Sequence, residues 1–205
     1  VLNKIRSAFA DRSRAQDMAG AEQRRHARRT VFLDASIYPI DFFSDVVIHN
    51  VSANGFMGEA DVELTVGESL HLTLDDKAYQ AATVRWTEGQ QFGASFESPL
   101  ARTGAGDDLD FGTEDDHKPR QKRVNLRIPA RLCLGRPPQP GSVRNLSQSG
   151  MLLETDPGLC KGQHILVKLG NRPPVAGRIQ WHDQGRIGVE SAEPIGILSL
   201  VYSSD

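Results

Sequence analysis

Cysteine, tryptophan and long apolar runs are all scarce in this chain. Of 205 residues two are cysteine, two are tryptophan, and aromatic residues make up 6%. Cys133 and Cys160 both fall in the second half, too few for a disulfide framework, so reduced thiols in a cytoplasmic setting are expected. No apolar run approaches the roughly 20 residues that span a bilayer, and residues 1–20 lack the apolar centre of a secretory signal. The histidines, His26, His49, His71, His117, His164 and His182, stand at no metal-ligand spacing. Neither a Gly-x-Ser-x-Gly elbow nor a Walker loop occurs. An enzyme is therefore not expected, and neither catalytic residues nor a metal or cofactor is assigned. The net charge of −2 and the few aromatics at strand positions also count against a nucleic-acid-binding β-barrel.

What charge there is lies segregated. Residues 1–29 carry eight Lys and Arg against three acids, whereas residues 107–116 carry six acids and no base. Such runs commonly form solvated segments.

A repeat stands out against this background. Sliding the chain by 95 positions pairs residues 50–99 with 145–194 without a gap, and twelve of these fifty pairs are identical, where composition alone gives about three. The identical pairs include Asn50 and Asn145, Ser52 and Ser147, Gly55 and Gly150, Trp86 and Trp181, and Gly93 and Gly188. The chain reads as an N-terminal segment (1–21), a first domain (22–100), an acidic Gly-containing linker (101–119) and a second domain (120–205).

In chain order, Leu2, Ile5, Ala8 and Phe9 are spaced as a short helix. Arg24-Arg25-His26-Ala27-Arg28-Arg29 then leads into residues 30–40, where Val31, Leu33, Ala35 and Ile37 alternate as in a half-buried strand. A second strand is expected over 45–51, separated from the first by a loop near 42–45, and it ends in Asn50-x-Ser52-x-x-Gly55. Asn and Ser hydrogen-bond to nearby backbone and Gly tolerates positive φ, so this motif is at the least a turn. Further strands are expected over 56–59, 69–74, 79–86 and 92–96, with Trp86 and Trp181 in the core. The second half repeats the order after Arg120-Gln121-Lys122-Arg123-Val124-Asn125-Leu126-Arg127, and the chain closes after Pro194 as strand or short helix. Many short strands predict an all-β protein, two tandem antiparallel β-barrels of about six strands each.

An Arg-x-x-x-Arg arm at the mouth of a strand, followed by Asn-x-Ser-x-x-Gly on the next turn, resembles the PilZ family of bacterial cyclic di-GMP receptors. The resemblance implies that Arg25, Arg29, Asn50, Ser52 and Gly55 hold ligand in the first domain, and Arg123, Arg127, Asn145, Ser147 and Gly150 in the second. The residue types suit it: a guanidinium forks onto phosphate oxygens, pairs with guanine O6 and N7, or stacks on the ring. Many family members have Asp where this chain has Asn50 and Asn145, which leaves one acceptor oxygen for guanine in place of two. In the family a residue just ahead of the first arginine bears on whether one dinucleotide or a stacked pair binds; here it is Arg24 or Lys122, and a stacked pair is expected at the first site above all.

The implied function is that of a second-messenger receptor whose flexible arms close over the ligand at one or both domains. Because the second arm is the interdomain linker, closure is expected to alter the interdomain arrangement and reach a downstream protein partner. The linker acids, Asp107 to Asp116, are expected to compete weakly for the arms. The rival readings are a PilZ-type adaptor without ligand and a nucleic-acid-binding barrel.

Overall fold

A computed structural model describes residues 29–100, 124–155 and 158–196. All regular structure among them is antiparallel β. The strands are β1 (Arg29–Ser52), β2 (Gly55–Ala60), β3 (Ser69–Thr73), β4 (Gln80–Glu88), β5 (Gln91–Phe96), β6 (Val124–Gly135), β7 (Gln139–Ser147), β8 (Gly150–Thr155), β9 (His164–Lys168), β10 (Val175–Asp183) and β11 (Arg186–Ser191). The expected N-terminal helix lies outside the described residues, as does the linker.

The eleven strands form one sheet, ordered β2-β5-β4-β3-β6-β1-β7-β8-β11-β10-β9, and two further pairings, β2 with β1 and β9 with β1, close it on both sides. Two rings of paired strands result, joined through β1. One runs β6-β1-β2-β5-β4-β3 and returns to β6; the other runs β1-β7-β8-β11-β10-β9 and returns to β1. Where two tandem barrels are expected, the structure thus has a single continuous sheet.

The two rings do not follow the two sequence copies. The N-terminal part of β1 pairs with β7 and β9, both from the second copy. Strand β6, which opens the second copy, pairs with the C-terminal part of β1 and with β3, both from the first. Burial follows the same exchange. Ala130, Leu132 and Leu134 of β6 pack with Val46, Ile48, Phe56, Leu72, Val84 and Phe92, while Ala35 and Ile37 of β1 pack with Val143, Leu153, Ile165, Ile179 and Val189. A small third cluster, Ile40, Tyr79, Cys133 and Leu166 with Tyr38 and Ala176 against it, fills the waist between the rings.

The cause is legible in β1. The expected loop at 42–45 is strand: Ile40-Asp41-Phe42-Phe43-Ser44 contains no Gly, Asn or Pro to set a hairpin, and Phe42, Phe43, Ser44 and Asp45 pair with Leu134, Cys133, Leu132 and Arg131. Instead of folding back on its own copy, the strand runs on into the other. Its partner does bend, at Arg136-Pro137-Pro138 between β6 and β7, yet β6 and β7 lie end to end along β1. At the waist Gly135 lies so close to the Pro39 carbonyl that a Cβ would collide with it.

The resulting ribbon has approximate two-fold symmetry. Ser44 faces Leu132 and Ile37 faces Gln139; Asn50 faces Asn125 and Thr30 faces Asn145. A shift of 95 positions interchanges the members of each of these couples of pairs, so the offset that relates the copies also holds across the first strands. The distance from arginine to turn is three residues shorter from Arg127 to Asn145 than from Arg29 to Asn50, and this difference is therefore not absorbed by a loop. It places Arg127 at the position equivalent to Phe32.

His71 on β3 stands where the second copy has Leu166. It is 5% exposed, its Nε2 lacks a hydrogen-bond partner, and its ring meets Tyr38 edge-on at 4.7 Å. Burial, with a smaller push from the Lys168 charge, lowers its pKa to about 4. The unfolded chain then takes up the proton first, near pH 6.5, so the stability held above that pH is lost as pH falls towards 4. On the order of 3 kcal/mol should disappear across this interval. Urea unfolding at successive pH values should show a flatter profile for His71→Leu; an unchanged slope would exclude His71 as the source.

Candidate functional site

Each Asn-x-Ser-x-x-Gly motif is the turn between two strands of one ring. Ser52 Oγ donates to the Gly55 carbonyl at 3.2 Å, and Ser147 Oγ to the Gly150 carbonyl at 3.1 Å. The glycines are required by close approach of a neighbouring strand: a Cβ on Gly55 would run into the Ala94 carbonyl, and one on Gly150 into that of Val189. Serine thus closes the turn on itself and glycine docks it.

Beside each turn the outer face of the sheet is concave. Asn50, Ser52, Gly55, Met57, Trp86 and Gly93 are among the residues lining a hollow of about 260 Å³. Its counterpart, about 410 Å³, is lined by Asn145, Ser147, Gly150, Leu152, Trp181, Gly188 and neighbours. The tryptophans are not core residues as expected. Trp86 is 40% and Trp181 46% exposed. Each indole lies flat on the sheet because the cross-strand neighbour is glycine: a Cβ on Gly93 or Gly188 would occupy the ring. A large aromatic face in an open hollow beside hydrogen-bonding turn residues suits a stacked heterocycle. The recurrence of both Trp and Gly in the repeat was the sequence signal for this arrangement.

Among the described residues, the Asn145 Oδ1 atom is buried without a hydrogen-bond donor. An unmet buried acceptor costs free energy unless a donor arrives, and a guanine N–H is of the right kind.

Charge around the two hollows differs. At the first, Arg85 lines the wall and donates from Nε to Ser95 Oγ at 2.6 Å. At the second, Gln180 and Glu190 occupy the equivalent places, with Gln180 Nε2 donating to Glu190 Oε2 at 2.8 Å. Next to the first hollow, His49 Nε2 stands 3.2 Å from Glu59, and the Glu59 pKa is lowered by the His49 hydrogen bond first, then by Gln91, with a contribution from the Arg127 charge. Next to the second, Arg144 contacts Glu154 at 2.6 Å and lies 4.9 Å above the exposed ring of Phe32. The Arg144 hydrogen bond is the main cause of the lowered Glu154 pKa.

The structure therefore brings Asn50, Ser52 and Gly55 together at one hollow, and Asn145, Ser147 and Gly150 at the other. Arg127 is exposed on β6. The backbone of Arg29 opens β1 opposite Leu146. Arg24, Arg25, Lys122 and Arg123 lie outside the described residues. Sequence reasoning did not place Trp86, Trp181, Arg85 and Glu190 at these hollows.

A turn held by its own serine and an exposed indole thus flank a hollow on the outer face of each ring. Residues 117–198 match the family model of the PilZ domain, a family of cyclic di-GMP-binding and adaptor domains. Searches of curated proteins and of solved structures gave no match to the chain. The matched segment begins before β6, the strand that the fold lends to the other ring.

Gly93→Ala should lift Trp86 off the sheet at a cost of about 1–3 kcal/mol. In a protein whose only other indole, Trp181, has been replaced by Phe, the emission of Trp86 should shift to longer wavelength. Unchanged emission would mean that Gly93 does not seat the indole.

Proposed function

We propose that the chain is a cyclic di-GMP receptor that binds through both outer-face hollows. The observation that carries this reading is the unmet, buried Asn145 acceptor beside an exposed indole, in a segment that matches the PilZ model. In this reading the indole stacks on guanine, Asn50 and Asn145 accept from its amide edge, and the arginines of the arms, Arg25, Arg29, Arg123 and Arg127, take phosphates and the second guanine. Arg24 and Lys122 add the cation that favours a stacked pair of ligands. Each ring is a small barrel, and binding acts by non-covalent closure with no chemical step.

Closure of an arm in this scheme acts on the β-ribbon shared by the rings, and so on their arrangement, which a downstream protein partner would sense. The linker acids compete for the arms in the unliganded state.

The first hollow should bind a dianionic ligand more tightly, since Arg85 stands where the second has Gln180, and Ser95 where the second has Glu190. Calorimetric titration of cyclic di-GMP should therefore resolve two affinities in the whole chain. Glu190→Gln should tighten the weaker one about three- to tenfold, the effect of removing an unfavourable charge interaction of roughly 1 kcal/mol. Asn50→Ala with Asn145→Ala should abolish most of the heat. Full binding by the double variant would remove the Asn turns from the site.

A further inference from the structure

We infer that the site at the Asn50–Gly55 turn is assembled from both sequence copies: Arg127, on β6 of the second copy, completes it. The inference rests on the cyclic di-GMP reading for the ligand, and on strand pairing for the assignment of arms. Reading each copy by itself couples Arg127 with Asn145, in the same domain. The pairing pattern does not allow that.

Three observations converge. First, Asn50 and Val51 face Asn125 and Val124 across the ribbon, so the arm of the second copy enters the sheet beside the first copy's turn. Second, Arg127 is near enough to Glu59 to lower its pKa, and Glu59 faces Val47 on β1, three residues from Asn50. The register shift between Ile48 and Asn50 falls opposite Arg127, which gives this side chain a position out of the regular alternation. Third, Arg127 is remote from its own copy's turn. Ile48 faces Ile128, Thr30 faces Asn145, and both lie on the one strand β1, 18 residues apart. At about 3.3 Å per residue that is roughly 60 Å along the strand, far beyond the reach of a side chain. The mirrored relation holds at the other end, where the backbone of Arg29 faces Leu146, next to Asn145.

The exchange also explains a difference between the sites. At the place that Arg127 holds beside the first hollow, the second has Phe32, and the cation comes from Arg144 on the neighbouring strand, stacked over that ring. Arg144 is tied to Glu154 at 2.6 Å. Arg127 has no such short ion pair among the described residues, so an anionic ligand meets it with less competition.

The test uses the full chain, with each tryptophan in turn as the only reporter. Trp181→Phe leaves Trp86 to report on the first hollow; Trp86→Phe leaves Trp181 to report on the second. Arg127→Ala should weaken the cyclic di-GMP response of Trp86 at least tenfold and leave that of Trp181 within about twofold. Weakening at Trp181 with Trp86 unaffected would overturn the exchange. A ligand-free measurement stands beside it: with Cys160→Ser, since Cys160 is exposed and Cys133 buried, Asp45→Cys and Arg131→Cys should form an intramolecular disulfide under mild oxidation. Asp45 and Arg131 face each other in the ribbon and their side chains meet at 3.2 Å. If the copies folded separately, Asp45 would instead face Ser36, and Ser36→Cys with Asp45→Cys would cross-link in its place; that result also overturns the exchange. A chain that forms the 45–131 disulfide, with both tryptophans indifferent to cyclic di-GMP, would support the exchanged strands and sink the ligand reading alone.

Discussion

The pairing of β1 with β6 and β7 is the constraint on which the rest of the structure depends. One 24-residue strand faces two shorter strands laid end to end, and each ring closes only by borrowing from this ribbon. Without β6 the first ring lacks the strand between β1 and β3; without the N-terminal part of β1 the second lacks the strand between β7 and β9. Both cores contain residues of both copies, so neither copy buries its apolar strand faces alone. Exchange of an identical element between repeats costs little, because the cross-strand neighbours remain of the same kind. What decides between the two arrangements is the hinge. A tight hairpin between residues 40 and 45 favours Gly or Asn, and the sequence there, Ile-Asp-Phe-Phe-Ser, has neither.

The waist adds contacts that only the exchanged arrangement has. Ile40 and Cys133 come from the two ribbon strands, Tyr79 from the first copy and Leu166 from the second. Burial there pushes the Cys133 thiol up to about 12 and the Tyr79 phenol likewise to about 12, so both stay neutral at physiological pH and behave as core. Tyr79 satisfies its hydroxyl by donating to the Asp76 carbonyl at 2.9 Å, and Arg131 on the ribbon grips Asp76 at 2.9 Å and Asp45 at 3.2 Å. The exposed ion pairs are individually weak. Their role is to hold the Asp75–Tyr79 turn over the waist, where the desolvated groups sit.

Much of this was legible in the residues. Period-2 alternation at Val31, Leu33, Ala35 and Ile37 identified a strand with one buried face, and the 95-residue offset identified two versions of every element. Alternation fixes which side chains point inward, and it is silent about which strand lies alongside. Equivalent strands from two copies satisfy the same pattern, so the exchange had no signature in the periodicity. Its signature was slight, the lack of Gly, Asn or Pro between Ile40 and Asp45, which reads as a loop only if a hairpin is assumed. Trp86 and Trp181 were misplaced for a related reason. Indoles are core by composition, yet each has a glycine across the sheet that leaves room for the ring to lie flat on the outside. The turn motif, by contrast, was local: its serine bonds to a carbonyl three residues on, and nothing distant is needed to specify it.

The ribbon also separates the two hollows. Asn50 and Thr30, which faces Asn145, are 20 residues apart on one strand, roughly 65 Å along its length at about 3.3 Å per residue. No single small ligand bridges that span along the strand; the ribbon and the packed waist are what join the two hollows. A paired strand transmits change by twist and by register, and its bulges are where either is adjusted at least cost. The ribbon has register shifts between Ile48 and Asn50 and between Thr30 and Leu33, one beside each hollow, and a third between Ile40 and Phe42 near the waist. A change passed along the ribbon would cross the bulge beside each hollow, next to Arg127 at one end and the backbone of Arg29 at the other, and the third bulge between them.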